Sequence, residues 1–152
     1  MKKVKEVCML AGVSKRTLQY YDDAGVLPVE RSDGNERLYS DEKLKKLSRV
    51  LTYKKAGLKL EEIKEIIEMP EESQAKFLQQ HIRKLTAKKG EIEEQISFTR
   101  FIIREGVPDF SNVNAEGKSI TYSGYLEEVM KQACRDSKIS GRQIKHRRRR
   151  QK

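Results

Sequence analysis

From Glu71 to Glu105 the chain runs without a proline, and Leu78, Ile82, Leu85, Lys89, Ile92, Ile96, Thr99 and Ile103 follow one another in alternating steps of four and three. That spacing is a heptad seam, the apolar stripe of a helix that pairs with another helix. A helix of this length measures roughly 50 Å, too long to stand alone with one apolar stripe uncovered. The seam therefore predicts a partner, and the same helix of a second subunit supplies one of matching length. The competing arrangement is an intramolecular hairpin with a later helix around Leu126. That later helix is predicted to be much shorter, which favours self-association through Leu78, Ile82, Leu85, Ile92, Ile96 and Ile103. Lys89, Gly90 and Thr99 interrupt the seam, so the predicted pairing is weaker than an unbroken zipper.

An apolar share of 36% beside 37% charged residues is lean for one round core and suits an elongated, mainly helical chain. The net charge of +10 points to an acidic partner such as nucleic acid. Its distribution is uneven: residues 1–69 hold 15 basic and 12 acidic side chains, 70–141 hold 11 of each, and 142–152 hold seven basic and none acidic. No apolar run is long enough to cross a bilayer, and the start at Lys2 and Lys3 lacks the apolar stretch of a signal peptide, so the expectation is a cytoplasmic protein without a membrane partner. Cys8 and Cys134 match no paired-thiol or zinc spacing and are read as reduced.

Before the long helix, Val4, Val7, Cys8 and Ala11 make the stripe of a short amphipathic helix that Gly12 ends. Ser14 is placed to cap a second helix, with Val13 and Leu18 as a hydrophobic staple, and this helix is expected to run to about Ala24. Two short helices around a tight turn form a helix-turn-helix, whose second member can enter a major groove. Leu18 and Tyr21 face inward, leaving Lys15, Arg16, Thr17 and Tyr20 as DNA-reading residue types near the helix start. Ser32, Asp33, Gly34 and Asn35 then break Val29–Tyr39 into a hairpin, or wing. Ser40 caps a third helix along Leu44, Leu47 and Leu51, and a fourth carries Leu60, Ile63, Ile66 and Ile67 and stops before Pro70.

The run Val13-Ser14-Lys15-Arg16-Thr17-Leu18-Gln19-Tyr20-Tyr21-Asp22, then Gly25-Val26-Leu27-Pro28, Arg37-Leu38-Tyr39-Ser40 and Leu60-Glu61-Glu62-Ile63-Lys64-Glu65-Ile66 resembles the mercury-resistance regulator (MerR) family of bacterial transcription factors. The resemblance covers about residues 2–69, and the long helix fits that family's antiparallel dimerisation helix. It implies a homodimer on a near-palindromic promoter operator in double-stranded DNA, which the protein bends and untwists so that RNA polymerase can engage the promoter. It also implies that Ser14, Lys15, Arg16, Thr17 and Tyr20 belong to the recognition helix, and that Arg37 and Tyr39 grip the backbone from the wing. Two positions depart from the family pattern. Glu36 stands where an aromatic or basic residue is usual and is expected to repel phosphate, and Lys59 replaces a Ser-type helix cap.

The expected organisation is a winged helix-turn-helix domain over 1–69, a dimerisation helix over 70–106, a small loop and helix over 107–140, and a basic disordered tail over 141–152. With no cysteine between Cys8 and Cys134, no metal site and no cofactor are expected. Phe110, Tyr122 and Tyr125 are candidates for a pocket holding a small organic effector, although packing of the small C-terminal region explains them more simply. No phosphate loop, carboxylate pair or nucleophile with a nearby histidine can be assembled, so the chain is not expected to be an enzyme. An excisionase-like or architectural DNA-binding protein shares the winged module and is the alternative; its usual lack of a long dimer helix ranks it lower. A third reading makes Arg147 to Arg150 dominant, as a nonspecific nucleic-acid binder.

Overall fold

The computed structural model describes residues 1–111 and 120–149, with side chains described as far as Ile139. Part of the predicted C-terminal loop, 112–119, and the last three residues of the predicted tail lie outside the described residues. Two compact units divide the chain, Met1–His81 and Ile82–Lys152.

The first unit opens with strand β1 (Lys2–Lys3) and helices α1 (Val4–Ala11) and α2 (Lys15–Asp23). Val7 of α1 is fully buried, with Val4, Cys8 and Ala11 packed against the same core, as their spacing predicts. The turn between the helices works because Gly12 takes φ 66°, a left-handed conformation costly for a residue with a Cβ, while its N–H reaches the Cys8 carbonyl at 3.0 Å. Leu18 and Tyr21 are the buried residues of α2.

The wing consists of β2 (Glu30–Arg31) and β3 (Arg37–Tyr39), paired antiparallel with Arg31 opposite Arg37. Ser32 closes the turn: its carbonyl accepts from the Asn35 N–H at 2.8 Å and its Oγ accepts from the Glu36 N–H at 3.2 Å. The two-stranded wing expected from sequence is in fact a three-stranded sheet in the order β1-β3-β2, because Lys2 and Lys3 pair antiparallel with Tyr39 and Leu38. A two-residue edge strand of lysines carries no period-two pattern, so nothing in the sequence marked it.

Helices α3 (Asp41–Lys55) and α4 (Leu60–Glu68) complete the unit. Ser40 Oγ accepts from the Lys43 N–H at 3.3 Å, and acidic residues in the first turn with lysines in the last complement the helix dipole. At α4 the missing Ser-type cap is offset from inside the helix, since Glu62 Oε2 accepts from the Lys59 N–H at 2.9 Å. Leu60, Ile63 and Ile66 are buried, joining Val26, Leu27, Tyr39, Leu47, Val50 and Leu58 in one core.

The long helix α5 (Glu71–Glu105) has the predicted bounds. Its first three turns belong to the winged unit, so this unit runs to His81 and past the boundary expected at 69. Phe77 and Leu78 are partly buried against the core, so the seam of α5 begins where the winged unit ends. Gln74 Nε2 donates to the Met69 carbonyl at 3.0 Å, and His81, 8% exposed, has Nε2 2.9 Å from the Ala56 carbonyl at the end of α3. Burying a histidine here satisfies one of the carbonyls that a helix C-terminus leaves open.

In the second unit α5 continues beside α6 (Tyr122–Arg149). Thr121 Oγ1 accepts from the Gly124 N–H at 3.0 Å and caps the start of α6. Ser97 Oγ and Ser137 Oγ meet at 3.1 Å, and Ala133 is buried, so α6 lies along one side of α5. Both expectations for this helix need correction. It is not short, and its backbone remains helical through Arg149 where disorder was expected from 141; Arg, Gln and Lys are good helix formers, and Gly141 alone does not end a helix already propagating. The competing hairpin therefore exists within the chain, yet Ile82, Leu85, Ile92, Ile96 and Ile103 remain 45% to 81% exposed. Among the described residues no helix is long and apolar enough to cross a membrane.

Candidate nucleic-acid interface

Helix α2 presents its start to solvent without an acidic residue in the first turn. Its free amides and dipole make that end electropositive before any side chain is counted. Ser14 Oγ accepts from the Thr17 N–H at 3.0 Å and lies 2.9 Å from Thr17 Oγ1, so these two hydroxyls build the cap and are half engaged by each other. Lys15 and Arg16 are exposed and form no ion pair among the described residues. Tyr20 is 58% exposed with its ring tilted against Tyr21, centroids 6.3 Å apart.

The sequence reading passed over Gln19, which is also exposed and borders the same shallow groove as Lys15, Arg16 and Tyr20. The signal was available: 15, 16, 19 and 20 are spaced as one helix face, opposite Leu18 and Tyr21. A second cleft, of about 630 Å³, lies between α1, the start of α2 and the wing, and Lys3, Lys5, Lys15 and Asn35 line it. Lys3 and Lys5 escaped notice because nothing in their spacing ties them to the wing until β1 joins the sheet.

The wing differs from expectation at both residues assigned to it. Arg37 Nε donates to Asp22 Oδ2 at 2.7 Å and Nη2 lies 3.5 Å from Asp23 Oδ1; its side chain is only 14% exposed. The hydrogen bond to Asp22 holds the guanidinium above its ordinary value, so Arg37 is a permanently charged tie between wing and α2. Asp22 Oδ1 also accepts from the Val29 N–H at 3.2 Å, and Arg31 Nη2 lies 3.7 Å from Oδ2. Tyr39 is fully buried and its hydroxyl has no hydrogen-bond partner among the described residues; burial pushes its phenol up. Residues 37 and 39 share one face of β3, and that face meets the core. Both side chains turn inward in the single chain, and Arg31, 44% exposed at its side chain, is the more accessible wing cation. Glu36 pairs with Lys3 Nζ at 3.0 Å, so its charge is partly neutralised.

In the second unit Phe110 lies 4.6 Å from Tyr122 and 5.8 Å from Tyr125, ring centroid to centroid. The three rings proposed for an effector are thus brought together, and they pack on one another. Cys8 and Cys134 are both free and half-buried, one in each unit.

Comparison with known proteins shows what the chain is similar to. The family model described as MerR HTH family regulatory protein matches residues 2–69, and the one described as MerR, DNA binding matches 44–105. The chain is 39% identical over 94 residues to the HTH-type transcriptional activator mta of Bacillus subtilis, spanning 61% of this chain and 37% of that protein. It is 36% identical over 92 residues to the HTH-type transcriptional activator TipA of Streptomyces coelicolor, 60% of this chain and 36% of that protein. The chain thus spans little more than a third of the length of these curated relatives. The crystal structure of MtaN, the N-terminus of the Bacillus subtilis multidrug transporter activator, superposes with a TM-score of 0.63 at 35% identity, covering 68% of this chain and 98% of that one.

Two substitutions separate structural from DNA-contacting roles in the wing. Asp22→Asn removes the charge opposite a nearly buried arginine and is expected to cost about 2–3 kcal/mol in chemical denaturation. A cost under about 0.5 kcal/mol would reduce the pair to an ordinary surface contact. Tyr39→Phe deletes an unpartnered buried hydroxyl, so stability should stay level or rise by about 1 kcal/mol, with DNA affinity unchanged. A tenfold weaker complex would put Tyr39 back among the DNA contacts.

Proposed function

The chain belongs to the MerR family of helix-turn-helix regulatory proteins, and on that footing we propose that it is a sequence-specific DNA-binding transcription regulator acting as a homodimer. Helix α2 enters the major groove, and the wing lies along the flanking backbone. The observation that carries this reading is the α2 face itself, where unpaired Lys15 and Arg16 sit beside Gln19 and Tyr20 at the electropositive end of a helix. Arginine and glutamine are side chains that read base edges bidentately, and tyrosine and lysine suit phosphate.

Two such heads are joined through α5, whose Ile82, Leu85, Ile92, Ile96 and Ile103 are exposed in the single chain and repeat at heptad spacing. The dimer recognises a near-palindromic promoter operator and works by bending and untwisting it, with RNA polymerase as the partner that responds to the altered duplex. The aromatic cluster of Phe110, Tyr122 and Tyr125 is the proposed seat of a small organic effector, which would enter by parting the rings.

Arg16→Ala should weaken operator binding by about 1–3 kcal/mol while the oligomeric state is unchanged. Unaltered operator affinity in a titration would take Arg16 out of the interface. The second expectation concerns the seam. The wild-type chain, of 17.7 kDa, should sediment at twice that mass, and Ile92→Glu with Ile96→Glu should yield monomers that bind the operator far more weakly. A wild-type protein that grips its operator as a single chain would defeat the dimer reading.

A further inference from the structure

Along α6, Lys131, Arg135, Lys138, Arg142, Lys145 and Arg149 succeed one another in steps of four, three, four, three and four. On a helix these six positions fall within one narrow face. We propose that this cationic stripe is a second, sequence-independent binding surface for the phosphate backbone of duplex DNA. Lys131, Arg135 and Lys138 are exposed and form no ion pair among the described residues, and the continuous helix backbone puts Arg142, Lys145 and Arg149 at the following positions of the same register. Glu127 shares this face one turn before Lys131, so positive charge accumulates toward the C-terminal end.

Dipole compensation accounts only for cations in the last helical turn, whereas this stripe extends about 27 Å. Over that length duplex DNA presents on the order of 16 phosphates, a linear array of charge for a linear array of cations. An anionic membrane is the poorer partner, because an interfacial helix must offer its apolar side to lipid. Here that side is already engaged: Ala133 is 4% exposed and Ser137 is hydrogen-bonded to Ser97. A protein partner is also disfavoured, since a stripe of Lys and Arg alone has no apolar centre of the kind protein interfaces are built around. A polyanion requires charge only, and a DNA-binding chain already holds one at high effective concentration. To that extent the proposal rests on the DNA-binding reading above.

The test uses the full chain, an operator duplex and an unrelated duplex of equal length, each titrated across a salt series. Arg135→Gln, Lys138→Gln and Arg142→Gln together remove three stripe charges and keep helix propensity, with circular dichroism as the check on helix content. The slope of log affinity against log salt should become shallower by about 2 to 3 per chain on both duplexes, with their affinity ratio preserved. A control of equal charge, Arg147→Gln with Arg148→Gln and Arg150→Gln, should change the slope by less than half as much. Equal changes in the two variants, or none in the first, would overturn the stripe. So would an unchanged DNA slope with lost binding to vesicles containing one-third phosphatidylserine, which would make the surface a membrane contact. Wild-type protein that binds neither duplex would instead defeat the DNA-binding reading, and the stripe with it.

Discussion

One carboxylate decides how the winged unit is held together. Asp22, at the end of α2, accepts from the Val29 N–H and from Arg37 Nε, and Arg31 approaches the same oxygen. Arg37 reaches Asp23 as well, so its planar fork spans two carboxylates in a way a lysine would not. Helix α2 and the wing are thereby made one piece. A protein that reads a groove with one element and a backbone with another needs their offset fixed, because a misplaced contact loses most of its value. The consequence is that the arginine most conspicuous in the wing sequence is committed to holding the wing in place.

Helix α5 serves two environments with one repeating pattern. Through its first three turns it is part of the winged core, tied by Phe77 and Leu78, by the hydrogen bond from Gln74 to Met69, and by His81 against the end of α3. Gln74 also lies 3.4 Å from the Tyr53 hydroxyl, so the ends of α3 and α4 both meet the start of α5. From Ile82 onward the same spacing yields exposed isoleucines and leucine. Periodicity specifies which side of a helix is apolar and is silent about what covers it. Leu78 and Ile82, adjacent members of one seam, show how the answer can change within a single turn.

This distinction explains what was legible in the sequence. The helices, their caps at Ser14 and Ser40, the stop at Pro70 and the bounds of α5 rest on local chemistry, and local chemistry is what a sequence displays. On α2, the exposed positions of Lys15, Arg16 and Tyr20 followed from the burial of Leu18 and Tyr21, and Gln19 could have been found by the same reasoning. The inward orientation of Arg37 and Tyr39 is not legible in the sequence, because which face of a short strand meets the core depends on tertiary contacts. The reach of α6 was missed for a different reason, since a basic tail with no apolar period reads as solvated chain until a helix is seen to carry it.

The charge balance of the first unit gives the cationic stripe on α6 its physical sense. Several basic residues of that unit are already engaged, Arg37 with Asp22 and Asp23, Lys3 with Glu36 and Lys46 with Glu68. Lys15 and Arg16 of α2 form no ion pair among the described residues, and they are two charges only. Base contacts discriminate, whereas affinity for duplex in general scales with the number of phosphates neutralised. On the DNA-binding reading proposed above, a separate cationic element would add to that number, and separation would have a further advantage. Phosphate attraction placed outside the proposed reading face would raise encounter with all DNA equally, and would leave the ratio between the correct site and every other site to the base-reading element.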